Sequence, residues 1–213
     1  MTQPNLSLTT PIMIKVSNLA KSYDGVNFAP AALSFEADLI HRLIFIDGPN
    51  GCGKTTLLKI LSGEEYPSEG SFCLKDHEQL TLIYQRDGLL PEITALENLR
   101  MIGSKDTEST EMAERLGLSV SVLRRKAKYL SGGEERRVQL ARMLVSKRRF
   151  WLLDEPTSHA DQSLRLLMSQ AIVENIARGG TAIIVTHDEE LRKILVEEVS
   201  GICKTLTVEV TSK

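Results

Sequence analysis

The sequence predicts an α/β fold: a mostly parallel sheet at the core, an antiparallel β-subdomain beside it and an inserted helical part. Three observations carry that prediction. Short continuous apolar runs at Leu43–Ile46, Leu80–Tyr84, Phe150–Leu153 and Thr181–Val185 have the length and residue types of strands buried on both faces. Amphipathic stretches separate them, the alternation that builds a parallel sheet. The most distinctive polar motifs stand directly after those runs, at strand ends, where open α/β sheets bind ligands.

Taken in order along the 213 residues, residues 1–11 read as a loose leader and 12–213 as a single domain. Residues 12–38 and 70–75 read as strands of the antiparallel β-subdomain. Leu43–Ile46 leads into a glycine-rich loop, and Thr56–Leu61 continues from it as an amphipathic helix. Gly63 stands where such a helix needs a left-handed residue to end. Residues 86–146 read as the helical insertion, and Gly201–Val210 as closing β-structure. Internal repeats, linkers and low-complexity segments are not evident.

The glycine-rich loop is Gly48-Pro49-Asn50-Gly51-Cys52-Gly53-Lys54-Thr55, followed by Thr56. It fits the phosphate-binding pattern G-x-x-x-x-G-K-[ST], and the strand before it and helix after it supply the context the pattern requires. Its glycines let backbone N–H groups curl toward phosphate oxygens, and the helix N-terminus adds its positive dipole end. Lys54 is expected to neutralise the β- and γ-phosphates of a nucleoside triphosphate, and the Thr55 hydroxyl to hold Mg²⁺. Cys52 reads as a small tolerated residue whose thiol, if exposed, would be open to modification.

A second acidic feature ends the Phe150–Leu153 run: Asp154-Glu155. Alone, such a pair is as often a solvent-facing turn; with Lys54 upstream it reads as functional. Asp154 is then expected to hold Mg²⁺ through its water shell, and Glu155 to orient or deprotonate the attacking water.

Bulk properties bound the rest. Hydrophobic residues make up 42% and charged residues 25% of the chain, ordinary for a globular protein with a sizeable core. A net charge of −2 argues against a nucleic-acid partner, which calls for a basic surface. No apolar run approaches the roughly 18–20 residues that span a bilayer. Three cysteines without paired spacing suit a reducing compartment.

Leu130-Ser131-Gly132-Gly133-Glu134, continuing as Arg136-Arg137-Val138-Gln139-Leu140-Ala141-Arg142, resembles the signature of the ABC (ATP-binding cassette) ATPases. Five motifs occur in that family's order: the phosphate loop, Gln85, the signature, Phe150–Pro156 and Thr186-His187-Asp188. The resemblance covers about residues 12 to 210. It implies a P-loop fold of ABC ATPase type, with ATP and Mg²⁺ as cofactors. It further implies that Tyr23 stacks on adenine, that Gln85 touches Mg²⁺ and the water, and that His187 acts at the γ-phosphate. Ser131, Gly132 and Gly133 would contact the ATP held by a second ABC ATPase subunit. Both half-sites look complete, so a homodimer is expected.

Two departures stand out. Glu134 occupies a position where glutamine is commoner, and Ser158-His159-Ala160-Asp161 replaces the usual Ser-Ala-Leu-Asp of the D-loop. The stretch between Lys54 and Gln85 is also shorter than is common in the family. As no catalytic position is lost, active hydrolysis is expected. The resemblance implies an ATPase subunit that powers a membrane transporter through separate transmembrane subunits, peripheral on the cytoplasmic side of the inner membrane. The basic run Arg124-Arg125-Lys126-Ala127-Lys128 would face them. Thr94–Leu99 and Trp151–Pro156 also resemble the ATPases of cytochrome c maturation, which implies haem export. The alternative is a non-transport ABC ATPase acting as a switch or assembly factor.

Overall fold

A computed structural model describes residues 14–38, 41–74, 80–83, 88–101, 106–158 and 160–212. The expected leader, residues 1–11, lies outside them, as do Gln85 and His159. Eight strands and seven helices are described, in the order β1 (Ile14–Ala20), β2 (Leu33–Ala37), β3 (His41–Asp47), α1 (Lys54–Ser62), β4 (Glu69–Leu74), β5 (Leu80–Ile83), α2 (Ala95–Arg100), α3 (Asp106–Arg115), α4 (Val120–Leu123), α5 (Gly132–Val145), β6 (Phe150–Asp154), α6 (Gln162–Ala177), β7 (Thr181–Val185), α7 (Glu189–Val199) and β8 (Lys204–Glu209).

The central sheet runs β5-β6-β7-β3-β8, and each of its pairings is parallel. Register puts Leu82, Leu152, Ile183, Ile44 and Leu206 in one row across it. All five residues of β6 and of β7 are buried, which explains their unbroken apolar sequence: a strand covered on both faces has no polar side to show. Alternate residues feed two cores. Ile44, Ile46, Leu152 and Ile183 pack with α1 and the β-subdomain, and Leu43, Phe45, Trp151, Leu153 and Ile184 with the helices on the opposite face. Burying each such side chain stabilises the fold by about 1.5–3 kcal/mol.

The smaller sheet, β2-β1-β4, is antiparallel on both sides of β1. Ile14 and Val16 alternate with exposed Lys15, as a sheet with one wet face requires. The expected closing β-structure is β8, joined parallel to β3 at the sheet edge.

Helices α2 to α5 are inserted between β5 and β6. Thr94 and Glu97 form a capping box on α2. Asn98, fully buried, accepts from Leu90 N–H at 2.7 Å and donates to the Leu90 and Thr94 carbonyls at 3.1 and 3.0 Å. Its amide therefore fixes the entry to the insertion with every polar atom engaged.

Candidate functional site

The glycine-rich loop joins β3 to α1 and takes its shape from close backbone approaches. Gly53 has φ 99°, and a Cβ there would sit 2.2 Å from the Ala29 carbonyl carbon. Gly48 has φ 140°, and its Cβ would meet the Val210 carbonyl oxygen at 2.4 Å. Only glycine fits either position. Gly53 is also the N-cap of α1 and brings no side chain to the helix end, so the first-turn N–H groups face the loop without a side-chain cap. The Lys54 ammonium is drawn inside, donating to the carbonyls of Gly48 at 2.7 Å and Pro49 at 3.0 Å. Cys52 is 1% exposed and packs into the core, so the thiol is shielded, and its N–H donates to the Pro49 carbonyl at 3.3 Å within the loop. A small residue tolerated at this position is what that burial requires, and the condition for modification, an exposed thiol, is not met.

Across the loop, Thr55 Oγ1 donates to Asp154 Oδ2 at 2.8 Å. Burial pushes the Asp154 carboxyl up from its ordinary range, opposed by the Thr55 hydrogen bond and by the Lys54 and Arg136 charges. Glu155 follows with φ 49°, a left-handed conformation that side chains rarely adopt. Its N–H donates to the Val185 carbonyl at 2.8 Å, extending the β6–β7 ladder by one bond. Its Oε2 accepts from His187 N–H at 3.3 Å. Its Oε1 is buried, 3.8 Å from His187 Nε2, with no hydrogen-bond partner among the described residues. A buried carboxylate oxygen left in that state is poised for a ligand or water.

These groups line one cleft of about 590 Å³ that brings together Tyr23, Asn50, Gly51, Gly53, Lys54, Thr55, Thr56, Asp154, Glu155 and His187. Tyr23 is 71% exposed; its hydroxyl donates to Glu65, and the Lys21 ammonium lies 5.1 Å from its ring centroid. An exposed ring at the cleft wall is free to stack on a planar base. Lys21, Asp24 and Asn27, which sequence reasoning left without a role, line the same wall. Their only sequence signal is proximity to Tyr23.

Ser131, Gly132 and Gly133 are not part of that cleft. They form the exposed N-terminus of α5, and a Cβ on either glycine would meet nothing within 4 Å. Ser131 caps the helix through a capping box with Glu134. The Glu134 carboxylate turns back to accept from Ser131 N–H at 2.8 Å and Oγ at 2.9 Å, and pairs with Arg125. Those contacts, the Ser131 backbone bond foremost, hold its carboxyl below the ordinary range. The extra negative charge is thus engaged by its own helix cap and paired with Arg125. In the D-loop, Asp161 caps α6 by accepting from Leu164 N–H at 2.7 Å.

Sequence reasoning also missed Arg136, 8% exposed, whose Nη2 lies 3.5 Å from the Glu155 carbonyl oxygen. It stands inside the signature run, but nothing in sequence tells which face of α5 it takes.

A family model described as "ABC transporter" matches residues 33–158. The spermidine/putrescine import ATP-binding protein PotA of Marinobacter nauticus is 33% identical over 197 residues, covering 84% of this chain and 52% of PotA. The chain thus spans about half the length of that relative. The cytochrome c biogenesis ATP-binding export protein CcmA of Rhodobacter capsulatus is 38% identical over 167 residues, covering 77% of this chain and 73% of CcmA. Among solved structures, the ATP-binding cassette MJ0796, a dimer bound to ADP and Pi, superposes with a TM-score of 0.77 at 22% identity, covering 94% of this chain and 97% of that one.

Proposed function

Because this chain belongs to the ABC transporter family, we propose that it is the ATP-binding and ATP-hydrolysing subunit of a membrane transporter, driving transport through separate transmembrane subunits. The observation that carries the reading is the cleft in which Lys54, the Thr55–Asp154 pair and the orphaned Glu155 oxygen converge on the uncapped end of α1. No described helix is long and apolar enough to cross a membrane; in this reading translocation falls to the separate transmembrane subunits.

In this reading the α1 N-terminus and Lys54 hold the β- and γ-phosphates of ATP, and Tyr23 stacks on the adenine. Thr55 Oγ1 and Asp154, the latter through water, would hold Mg²⁺. Two oxygen donors suit an ion that takes its remaining ligands from phosphate and water, and no cluster of three or more His, Cys, Asp or Glu occurs among the described residues. When bound, the ion supplies positive charge to the β,γ-phosphate oxygens. Glu155 orients the attacking water and accepts its proton as the P–O bond to ADP breaks. Gln85, which lies outside the described residues, is assigned to the same water, and His187 to the γ-phosphate. The exposed Ser131, Gly132 and Gly133 reach the ATP of a second copy, giving a homodimer with two shared sites.

The chain would act peripherally on the cytoplasmic side of the inner membrane, with its basic run Arg124–Lys128 toward the transmembrane partner. As cargo we take haem export for cytochrome c maturation, supported by the likeness to CcmA; the comparable likeness to the importer PotA makes the partner the decisive observation.

The test uses tagged Glu155→Gln, purified from membranes with ATP and Mg²⁺. It should bind ATP, hydrolyse it at least about 100-fold more slowly than wild type, as loss of a positioned base implies, and accumulate as a closed dimer. A stoichiometric multi-span protein should co-purify, and cytochrome-maturation proteins would identify the cargo. Wild-type turnover in the variant would remove Glu155 from its role. Recovery of soluble proteins alone would replace the transporter with a switch or assembly ATPase.

A further inference from the structure

Two cations are buried among the described residues, Lys54 and Arg136. Both act on the same acidic pair: Lys54 and Arg136 each bear electrostatically on Asp154, and Arg136 bears on Glu155 as well. Lys54 comes from the phosphate loop. Arg136 comes from the other direction, from the second turn of α5 in the helical insertion. Burying a guanidinium is costly unless its charge and donors are met. Here Nη1 donates to Gln139 Oε1 at 2.8 Å, Nη2 approaches the Glu155 carbonyl oxygen at 3.5 Å, and Glu135, Asp154 and Glu155 supply opposing charge. Gln139, 3% exposed, is itself fixed by donating to Glu135 Oε1 at 3.2 Å.

The Glu155 carbonyl accepts from Ser158 N–H at 3.1 Å, so Arg136 adds a second, charged donor to a turn whose first residue is left-handed. The side chain of that residue carries the orphaned oxygen. We infer that Arg136 is a positioning residue: from α5 it holds the Glu155 turn of the same subunit so that the Glu155 carboxylate faces the cleft. Ser131 lies five residues earlier on the helix, about 7 Å along its axis at ~1.5 Å per residue. One rigid helix therefore carries, at its exposed tip, the glycines proposed to meet the partner's nucleotide and, about one turn later, the grip on this subunit's own Glu155. Displacing α5 moves both. This rests on the reading of Glu155 under Proposed function.

The test compares Arg136→Met and Arg136→Lys with wild type in the full chain. It measures steady-state hydrolysis over a range of MgATP, equilibrium ATP binding, and thermal melting. Arg136→Met should lower kcat more than about tenfold while KM and the ATP Kd stay within about twofold, the pattern of an interaction that serves the transition state. Its melting temperature should fall by a few degrees, since Gln139 Oε1 loses its buried donor and the neighbouring carboxylates lose an opposing charge. Arg136→Lys, which keeps the charge, should restore kcat to within about threefold of wild type. A kcat within twofold of wild type for Arg136→Met, a parallel change in KM and Kd, or a lysine variant as slow as the methionine one overturns the inference. So does a collapse of melting temperature in both variants, which assigns Arg136 to the fold. If the wild-type chain fails to hydrolyse ATP, or Glu155→Gln hydrolyses it normally, the underlying reading falls instead.

Discussion

Thr55 and Asp154 stand 99 residues apart and share a hydrogen bond of 2.8 Å. One lies in the first turn of the helix after the phosphate loop and the other ends a central strand, so the bond joins the two halves of the site. Asp154 is 4% exposed, and a buried carboxylate that loses its donor is penalised by about 1–3 kcal/mol.

Thr55→Val should therefore act twice. Without ligand it should lower stability by about 1–3 kcal/mol in urea unfolding, because Asp154 is left short of a donor. With ligand it should erase most of the Mg²⁺-dependent gain in ATP affinity while metal-free ATP binding changes little. Calorimetric titration with and without Mg²⁺ checks this; an undiminished Mg²⁺ effect would remove Thr55 from the metal site.

Arg192 on α7 donates two bonds of 2.8 Å to Asp47, the residue before the phosphate loop, and its guanidinium lies 4.4 Å over the Phe45 ring. The fork geometry and the ring contact are both specific to arginine. Arg192→Ala should destabilise the chain by about 1–3 kcal/mol, seen as a lower urea midpoint at unchanged slope. Arg192→Lys should recover only part of that loss.

Asp188 carries three structural duties. Oδ1 accepts from Leu191 N–H at 3.0 Å to cap α7, and Oδ2 accepts from Thr157 at 2.9 Å and Arg165 at 2.7 Å. Burial pushes its carboxyl up, but these bonds outweigh burial and hold it below the ordinary carboxylate value. A lowered folded value means the stabilisation is present above the unfolded value, about pH 4, and is lost as pH falls through the folded one. Asp188→Ala should thus cost about 1–3 kcal/mol near neutrality. The gap to wild type should stay level from about pH 8 to 5 and close below about pH 4. Urea unfolding at several pH values measures it; a gap that widens in acid would contradict the assignment.

Much of the molecule was legible in the linear chain because its signals are local. The glycine spacing of 48–53 dictates a loop that only those backbones can form, and the Ser131 cap declares a helix start. The wholly apolar β6 and β7 announce strands covered on both faces. The patterns are local even where their cause is not: a Cβ at Gly48 or Gly53 is excluded by Val210 and Ala29, both distant in the chain. What the tertiary structure decided depends on contacts between distant segments. It turned Glu155 into a left-handed residue with an unmatched buried oxygen, hid the Cys52 thiol and paired Glu134 with Arg125. It also tied Arg192 to Asp47 across 145 positions and buried Arg136 against the Glu155 turn. A side chain's charge is written in the sequence, but its partner is set by which elements pack together.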